Sequence, residues 1–243
     1  MKERPSDHTR RARAVKSTVD SQAEAMKLYY DARANEYEEV YAGQGPAIPD
    51  PSAYARDVKE TSEIVSAFAT GQLIDIGCGT GFWLPHYAFN CSHITLLDQS
   101  EKMLSECRRK AEQLGVLEKC HFVHADFFTT DLSTQYTGAL TGFLLSHLSF
   151  TWEARFFARL ESILKPRAPL LLIDSAWSSK RRRYRQKEGI QKRSLRDGRT
   201  FLVYKRYFDR SDIGRIFTMH NLTLNSLYFG DVFFAALGNS TPP

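Results

Sequence analysis

The chain has 243 residues, 42% of them apolar, enough to bury a substantial core in one large domain. Its four cysteines form no C-x-x-C pair and no metal-binding spacing, no 18-residue apolar span occurs, and Met1 to Lys16 is charged throughout, so neither a signal peptide nor a membrane anchor is expected there, and a reduced, cytoplasmic protein is. The net charge of +5 is segregated: residues 1–16 hold six Lys or Arg against two acids, residues 180–206 hold twelve against two, and the remainder is acidic. Such segregation suits nucleic acid. No aromatic-interleaved RNA-binding module accompanies it, however, so solvated faces, or arginines holding the acidic body or a neighbouring subunit, rank first.

Residues 1–17 read as a disordered basic arm with almost nothing to bury. From Ser21 to Tyr41 the spacing predicts an amphipathic helix, with Met26, Tyr29, Tyr30, Ala34, Tyr37 and Tyr41 recurring at three- and four-residue steps. Four tyrosines on one side is unusual for a core stripe, because their hydroxyls need partners. Gly43 to Pro51, with Gly45, Pro46 and Pro49, is a loop and a candidate hinge. Residues 53–69 then form a helix with Tyr54, Val58, Ile64, Val65 and Phe68 inward, stopped at Gly71.

The stretch Gln72 to Gly81 is a buried strand that ends in Asp75 and enters a loop with Gly77, Gly79 and Gly81 at alternate positions. Glycines are needed where φ is positive or where a ligand must touch the main chain. The third glycine falls one residue too early for a dinucleotide fingerprint, and Asp75 would repel a pyrophosphate. A zwitterionic ligand would be accepted, its ammonium near Asp75 and its ribose over the glycines. A second strand, His93 to Asp98, also ends in a carboxylate, which is placed to accept hydrogen bonds from ribose hydroxyls.

The pattern Asp75-x-Gly77-x-Gly79-x-Gly81 followed by Asp98 resembles the class I S-adenosylmethionine-dependent methyltransferases. The resemblance implies an α/β fold: a Rossmann-like, seven-stranded, mostly parallel sheet with an antiparallel carboxyl-terminal strand and helices on both faces. It also implies S-adenosyl-L-methionine as the cofactor. In many small-molecule members an amino-terminal segment covers the cofactor, so residues 18–51 are expected to be a lid. On this resemblance Tyr29, Arg33 and Tyr37 reach the methionine carboxylate or the substrate, Gln99 and Met103 line the adenine, and Asp126 and Phe127 meet its edge. The plainer reading of Asp126 is a strand-end turn residue, and of the tyrosines a packed helix. Tyr30 and Trp83 are further candidates to face the substrate.

Beyond Phe82 a helix opens with its N–H groups toward the ligand. Ser100 caps another running to about Leu114, Cys120 to Asp126 is the third strand, and Gly138 to Leu145 the fourth. Members that modify exocyclic amines have an Asn/Asp-Pro-Pro-aromatic tetrapeptide here; this chain has Leu145-Ser146-His147-Leu148, which puts His147 where the methyl acceptor lies. His147 is a candidate base or orienting group, the plainer alternative being a packing residue. Trp152 to Lys165 is a helix and Ala168 to Asp174 a fifth strand. Residues 175–190 are expected to continue as a basic helix, ahead of a hairpin turning at Asp197-Gly198. This insertion, 175–207, is expected to cap the substrate, with Trp177, Arg181 and Tyr204 as candidates. A helix from Ser211 to Asn221 and strands Leu222 to Phe229 and Val232 to Leu237 follow, and so short a connection makes that pair antiparallel.

The expected activity is methyl transfer to a small planar acceptor, heteroaromatic in character, at a ring nitrogen or a hydroxyl. The chain also resembles bacterial methyltransferases that N-methylate azapteridines of the toxoflavin type. An RNA methyltransferase using the 180–206 strip and a non-catalytic binder of the cofactor are the alternatives. No membrane partner is expected, nucleic acid ranks below a small molecule, and a monomer and a homodimer are equally compatible.

Overall fold

The computed structural model describes residues 24–44, 48–132 and 135–240. The basic arm of residues 1–17, the first turn of the predicted amino-terminal helix, and Gly45 and Pro46 of the hinge loop lie outside the described residues.

Seven strands form one sheet in the order β3-β2-β1-β4-β5-β9-β8. These are β1 (Gly71–Ile76), β2 (Cys91–Asp98), β3 (Cys120–His124), β4 (Gly138–Gly142), β5 (Pro169–Ser175), β8 (Leu222–Phe229) and β9 (Phe233–Ser240). The strands from β1 to β5 pair in parallel, and β9 runs antiparallel to both β5 and β8, as the short Gly230-Asp231 connection requires. The central strands are buried over long apolar runs because helices cover both faces. A separate ribbon, β6 (Glu188–Ser194) and β7 (Thr200–Arg206), is the predicted hairpin across Asp197-Gly198.

Local chemistry fixes the helices. In α1 (Pro51–Phe68) the Asp50 carboxylate accepts the Ala53 N–H and Pro51 occupies the first turn. Beyond α2 (Leu84–Tyr87), Ser100 caps α3 (Glu101–Leu114) by accepting the Met103 N–H at 3.2 Å, and Gly115 closes it at φ 69°. Two further helices, α4 (Phe150–Ile163) and α5 (Ser179–Arg182), flank β5, and α6 (Arg210–Met219) begins with a capping box between Asp209 and Asp212.

The fold departs from expectation at four places. The amino-terminal helix is α-helical only over residues 24–33 and continues as a 3₁₀-helix, Ala34–Ala42, which aligns Ala34 and Tyr37 one turn apart on the buried side. The predicted basic helix of 175–190 is reduced to α5, because Arg181 turns inward to the carbonyls of Ala176 and Val232 and residues from Glu188 on pair with β7. Lys, Arg and Gln favour helix locally, but the cross-strand pairing overrides them. Strand β4 stops at Gly142 instead of Leu145, since Phe143 takes φ 61°, a left-handed conformation costing a bulky residue roughly 1–2 kcal/mol.

In α1, finally, Val58 and Ile64 are only partly buried, and Asp57 and Thr61 share the inward stripe with Tyr54, Val65 and Phe68. Asp57 is fully buried and accepts from Tyr228 Oη at 2.9 Å and from the N–H groups of Val232 and Phe233 at 2.7 and 3.0 Å, thereby tying α1 to the β8–β9 turn. Gly230 is required there, because a Cβ would lie 2.2 Å from Asp57 Oδ2. Replacing Asp57 by Ala strands these donors and should cost about 3 kcal/mol, read as a lowered urea midpoint.

Candidate active site

Gly77, Gly79 and Gly81 all have positive φ, at 71°, 55° and 70°. The main chain after β1 therefore folds back on itself, with the N–H groups of Gly77 and Cys78 both donating to the Leu97 carbonyl of β2, at 2.8 and 3.1 Å. Side-chain-free positions are also enforced by packing, since a Cβ on Gly81 would sit 2.6 Å from Cys107 Sγ. Asp98 locks the loop: Oδ2 accepts the Gly79 N–H at 2.9 Å and Oδ1 the Ser100 N–H at 2.8 Å. Each oxygen retains a lone pair for a further donor. Burial raises the Asp98 carboxyl above its ordinary range, and the two N–H groups work against that rise. Asp75, 2% exposed, receives the Tyr87 hydroxyl at 2.6 Å, and burial pushes its carboxyl up to about 7.

The amino-terminal segment lies across this loop. Asp31 accepts from Ser100 Oγ at 2.5 Å, and Glu38 accepts from Thr80 Oγ1 at 2.7 Å and from Lys110. The Tyr37 ring approaches to 3.5 Å from the position a Gly79 Cβ would take. Tyr37 and Tyr41 are buried in the main core, with Tyr41 stacked on Phe82 at 3.6 Å, and burial pushes the Tyr37 phenol up to about 12, so it is neutral. The Arg33 guanidinium spans Tyr29 and Tyr37, 5.6 and 5.4 Å from the ring centres, and donates to Tyr29 Oη at 2.7 Å.

His147 is reached from two elements. Its Nδ1 is 2.7 Å from the Tyr204 carbonyl oxygen and its Nε2 is 2.8 Å from Tyr30 Oη. A carbonyl only accepts, so Nδ1 carries the proton and the bare Nε2 accepts from the Tyr30 hydroxyl. Burial, reinforced by Lys205, holds the imidazole pKa well below its usual value, while burial raises the Tyr30 phenol. The loop carrying His147 is fixed by buried charge: Asp174 accepts the Ser146 N–H at 2.9 Å and pairs with Lys205 at 3.3 Å, and Lys205 also donates to Ser146 Oγ.

The other predicted residues fall in several settings. Met103 is buried in the main core, and Gln99 presents its carbonyl to His124 at 3.0 Å. Asp126 accepts the Phe128 N–H at 2.8 Å, as a turn residue does, and Phe127 packs on Phe156 in the core. Trp83 is buried with its Nε1 lacking a hydrogen-bond partner among the described residues, 3.2 Å from where a Gly142 Cβ would stand. The Tyr204 hydroxyl points away, to Glu188 at 2.7 Å, so its main chain and not its side chain meets His147. Arg181 is tied to two carbonyls, and Trp177 stacks on Tyr207 and borders a surface cleft of about 560 Å³ with Arg56, Glu60 and Tyr228. That cleft contains none of the glycine-loop residues.

Asp31, Glu38, Ser146, Asp174 and Lys205 were not singled out by sequence. Only Lys205 had a readable signal, since it alternates with Phe201 and Val203 along β7 and so shares their face. Among the described residues no group of His, Cys, Asp and Glu could hold a metal ion, and no helix is long and apolar enough to cross a membrane.

The loop fits an adenosylmethionine ligand on its own terms: positive-φ glycines that put no side chain on the main chain, a strand-end carboxylate with free lone pairs, and, two residues beyond Gly81, the Trp83 indole N–H without a partner among the described residues. Residues 73–167 match the family model described as a methyltransferase domain. Over 111 residues the chain is 29% identical to the uncharacterized protein YjhP of Escherichia coli (strain K12), a stretch that is 44% of this chain and 42% of that relative. Its fold is similar to that of DhpI in complex with SAH, with a TM-score of 0.69 and 22% identity over 91% of this chain and 98% of DhpI. It is similar too to the 1,6-didemethyltoxoflavin-N1-methyltransferase of Burkholderia thailandensis, solved with 1,6-didemethyltoxoflavin and S-adenosylhomocysteine, with a TM-score of 0.57 and 14% identity over 100% of this chain and 93% of that one. With its sheet order, its glycine-loop geometry and the match of residues 73–167 to a methyltransferase domain, the chain has the fold of the class I S-adenosylmethionine-dependent methyltransferases.

Proposed function

We propose that this protein methylates a small, planar acceptor, at a hydroxyl or a ring nitrogen, held between the amino-terminal tyrosine helix and the loop that carries His147. The hydrogen bond from Tyr30 Oη to His147 Nε2, across 117 residues of sequence, carries this reading. It joins a phenol and a neutral imidazole next to the glycine loop, where a proton can be taken up.

S-adenosylmethionine would supply the methyl group, already activated on a sulfonium. Asp98 would hold the ribose hydroxyls, with Gly77, Gly79 and Gly81 leaving the main chain open to them and Asp75 steadying the loop through Tyr87. Gln99, Met103, Asp126 and Phe127 would border the adenine, and Tyr29, Arg33, Tyr37 and Trp83 the methionine end. Residues 24–42 would act as a lid, since Tyr37 rests where the main chain of Gly79 must be approached. Alignment of the reacting atoms can supply about 7–11 kcal/mol of the barrier. The remaining task is the acceptor's proton. Tyr30 oxygen can receive it while passing its own hydrogen to His147 Nε2, which is bare because Nδ1 is fixed on the Tyr204 carbonyl.

Aromatic rings around this point (Tyr30, Tyr37, Tyr41, Phe143) favour a planar acceptor that stacks. An azapteridine of the toxoflavin kind would meet that description. The basic insertion supports a small molecule over RNA: Arg181, Lys205 and Arg206 are buried, Lys180 pairs with Asp50 and Asp231, Lys187 with Asp209 and Asp212, and Arg199 with Asp197. These charges are largely committed within the chain.

The test is release of S-adenosylhomocysteine from S-adenosylmethionine across a panel of planar phenols, N-heterocycles and RNA, with turnover expected on a small molecule; turnover on RNA alone would contradict the proposal. Tyr30→Phe should lower kcat/KM about 10²-fold without changing affinity for S-adenosylhomocysteine. Asp98→Ala should weaken that affinity by about 1.5–3 kcal/mol, measured by calorimetry on the folded variant.

A further inference from the structure

One face of the β6–β7 ribbon is cationic and turned inward. Along β6, Gln191 and Arg193 are half-buried while Ile190 and Lys192 are exposed; along β7, Val203 and Lys205 are buried while Leu202 is exposed. Gln191 and Arg193 lie opposite Val203 and Phe201 in the ribbon, and the same face packs on Tyr29 of the amino-terminal helix.

The charges on this face are not balanced. Arg193 has no carboxylate within 4 Å among the described residues; its partners are Gln191 Oε1 at 2.8 Å and Tyr207 Oη at 3.3 Å. Arg33, from the helix, donates to Tyr29 Oη and likewise meets no carboxylate there. Lys205 has Asp174, at 3.3 Å, but that carboxylate also accepts the N–H groups of Ser146 and Ser175. Gln191 adds an independent sign. A guanidinium only donates, so Arg193 fixes the amide with its oxygen inward, and Gln191 Nε2 is then a buried donor with no acceptor. A buried donor without an acceptor, beside half-buried cations without a carboxylate, is costly. Tyr207 responds to the same field: burial pushes its phenol up, yet Arg193, Arg181 and Lys205 outweigh it and bring it down to about 8.

These groups sit beside the Tyr30–His147 pair, because Lys205 follows Tyr204, whose carbonyl holds His147, and donates to Ser146, which precedes it. We infer that Arg193, Gln191 and Lys205, with Arg33 joined to their face through Tyr29, form an oxyanion pocket, and that the methyl acceptor carries an acidic group, a carboxylate or a phosphate-type anion, bound there. The inference rests on the small-molecule reading above and names the class of that molecule. An anion would pair the guanidinium in bidentate fashion and give the Gln191 amide its missing acceptor.

The test uses the full chain saturated with S-adenosylhomocysteine and titrated calorimetrically with inorganic phosphate and, separately, with benzoate, so that the two sources of an oxyanion are told apart. At least one should bind saturably, Arg193→Gln should weaken it about tenfold or more, and Arg193→Lys should lose less, with S-adenosylhomocysteine affinity unchanged in both variants. If neither anion binds, or if Arg193→Gln binds as well as the native protein, the pocket is refuted while the methyltransferase reading stands. If the native protein does not bind S-adenosylhomocysteine, both fall together.

Discussion

Both oxygens of Asp98 accept main-chain N–H groups, one from Gly79 in the loop after β1 and one from Ser100 at the start of α3. This carboxylate at the tip of β2 holds two neighbouring βα turns in one geometry, and most of the site is arranged about it. Ser100 in turn donates to Asp31 and caps α3, so the amino-terminal segment is positioned by the same cluster. Removing the carboxylate would free the Gly79 N–H, the Ser100 N–H and the loop together, which is why its effect should be read in ligand affinity on a folded protein.

The proposed acceptor side depends on buried charge. Asp174, at the end of β5, fixes the Ser146 N–H and pairs with Lys205 of the ribbon, and Glu153 pairs with Arg206, which also lies near the Leu145 carbonyl. Buried pairs of this kind are weak sources of stability but strict about position. Here they pin the short loop from Phe143 to Leu148 between the sheet and the ribbon, which leaves His147 with one nitrogen committed and the other open to Tyr30. The left-handed Phe143 turns the chain out of β4 at the point where this loop begins.

The parts legible in the sequence were those set by local constraints. Gly77, Gly79 and Gly81 could be read because positive φ demands them, Asp98 because strand periodicity places it at a tip, the β6–β7 turn because Asp197-Gly198 allows few alternatives, and β9 because its connection to β8 is too short for a crossover. What escaped depends on contacts between distant residues. The 3₁₀ turn over Ala34–Ala42 follows from docking on the glycine loop, the strand at Glu188–Ser194 from pairing with β7, and the burial of Asp57 from donors about 170 residues away. Tyr204 was expected to face the substrate with its ring, whereas it is its carbonyl that meets His147 and its hydroxyl turns to Glu188.

Tyr37 over Gly79, Asp31 on Ser100 and Glu38 on Thr80 lay the amino-terminal segment across the glycine loop, and the proposed lid links ligand binding to the state of this segment. Amide hydrogen exchange with and without S-adenosylhomocysteine tests that link most directly. The account predicts that protection rises together in residues 24–42, in the loop 77–81 and at 98–103 when the ligand is present. Equal protection of all three segments with and without saturating ligand would contradict it.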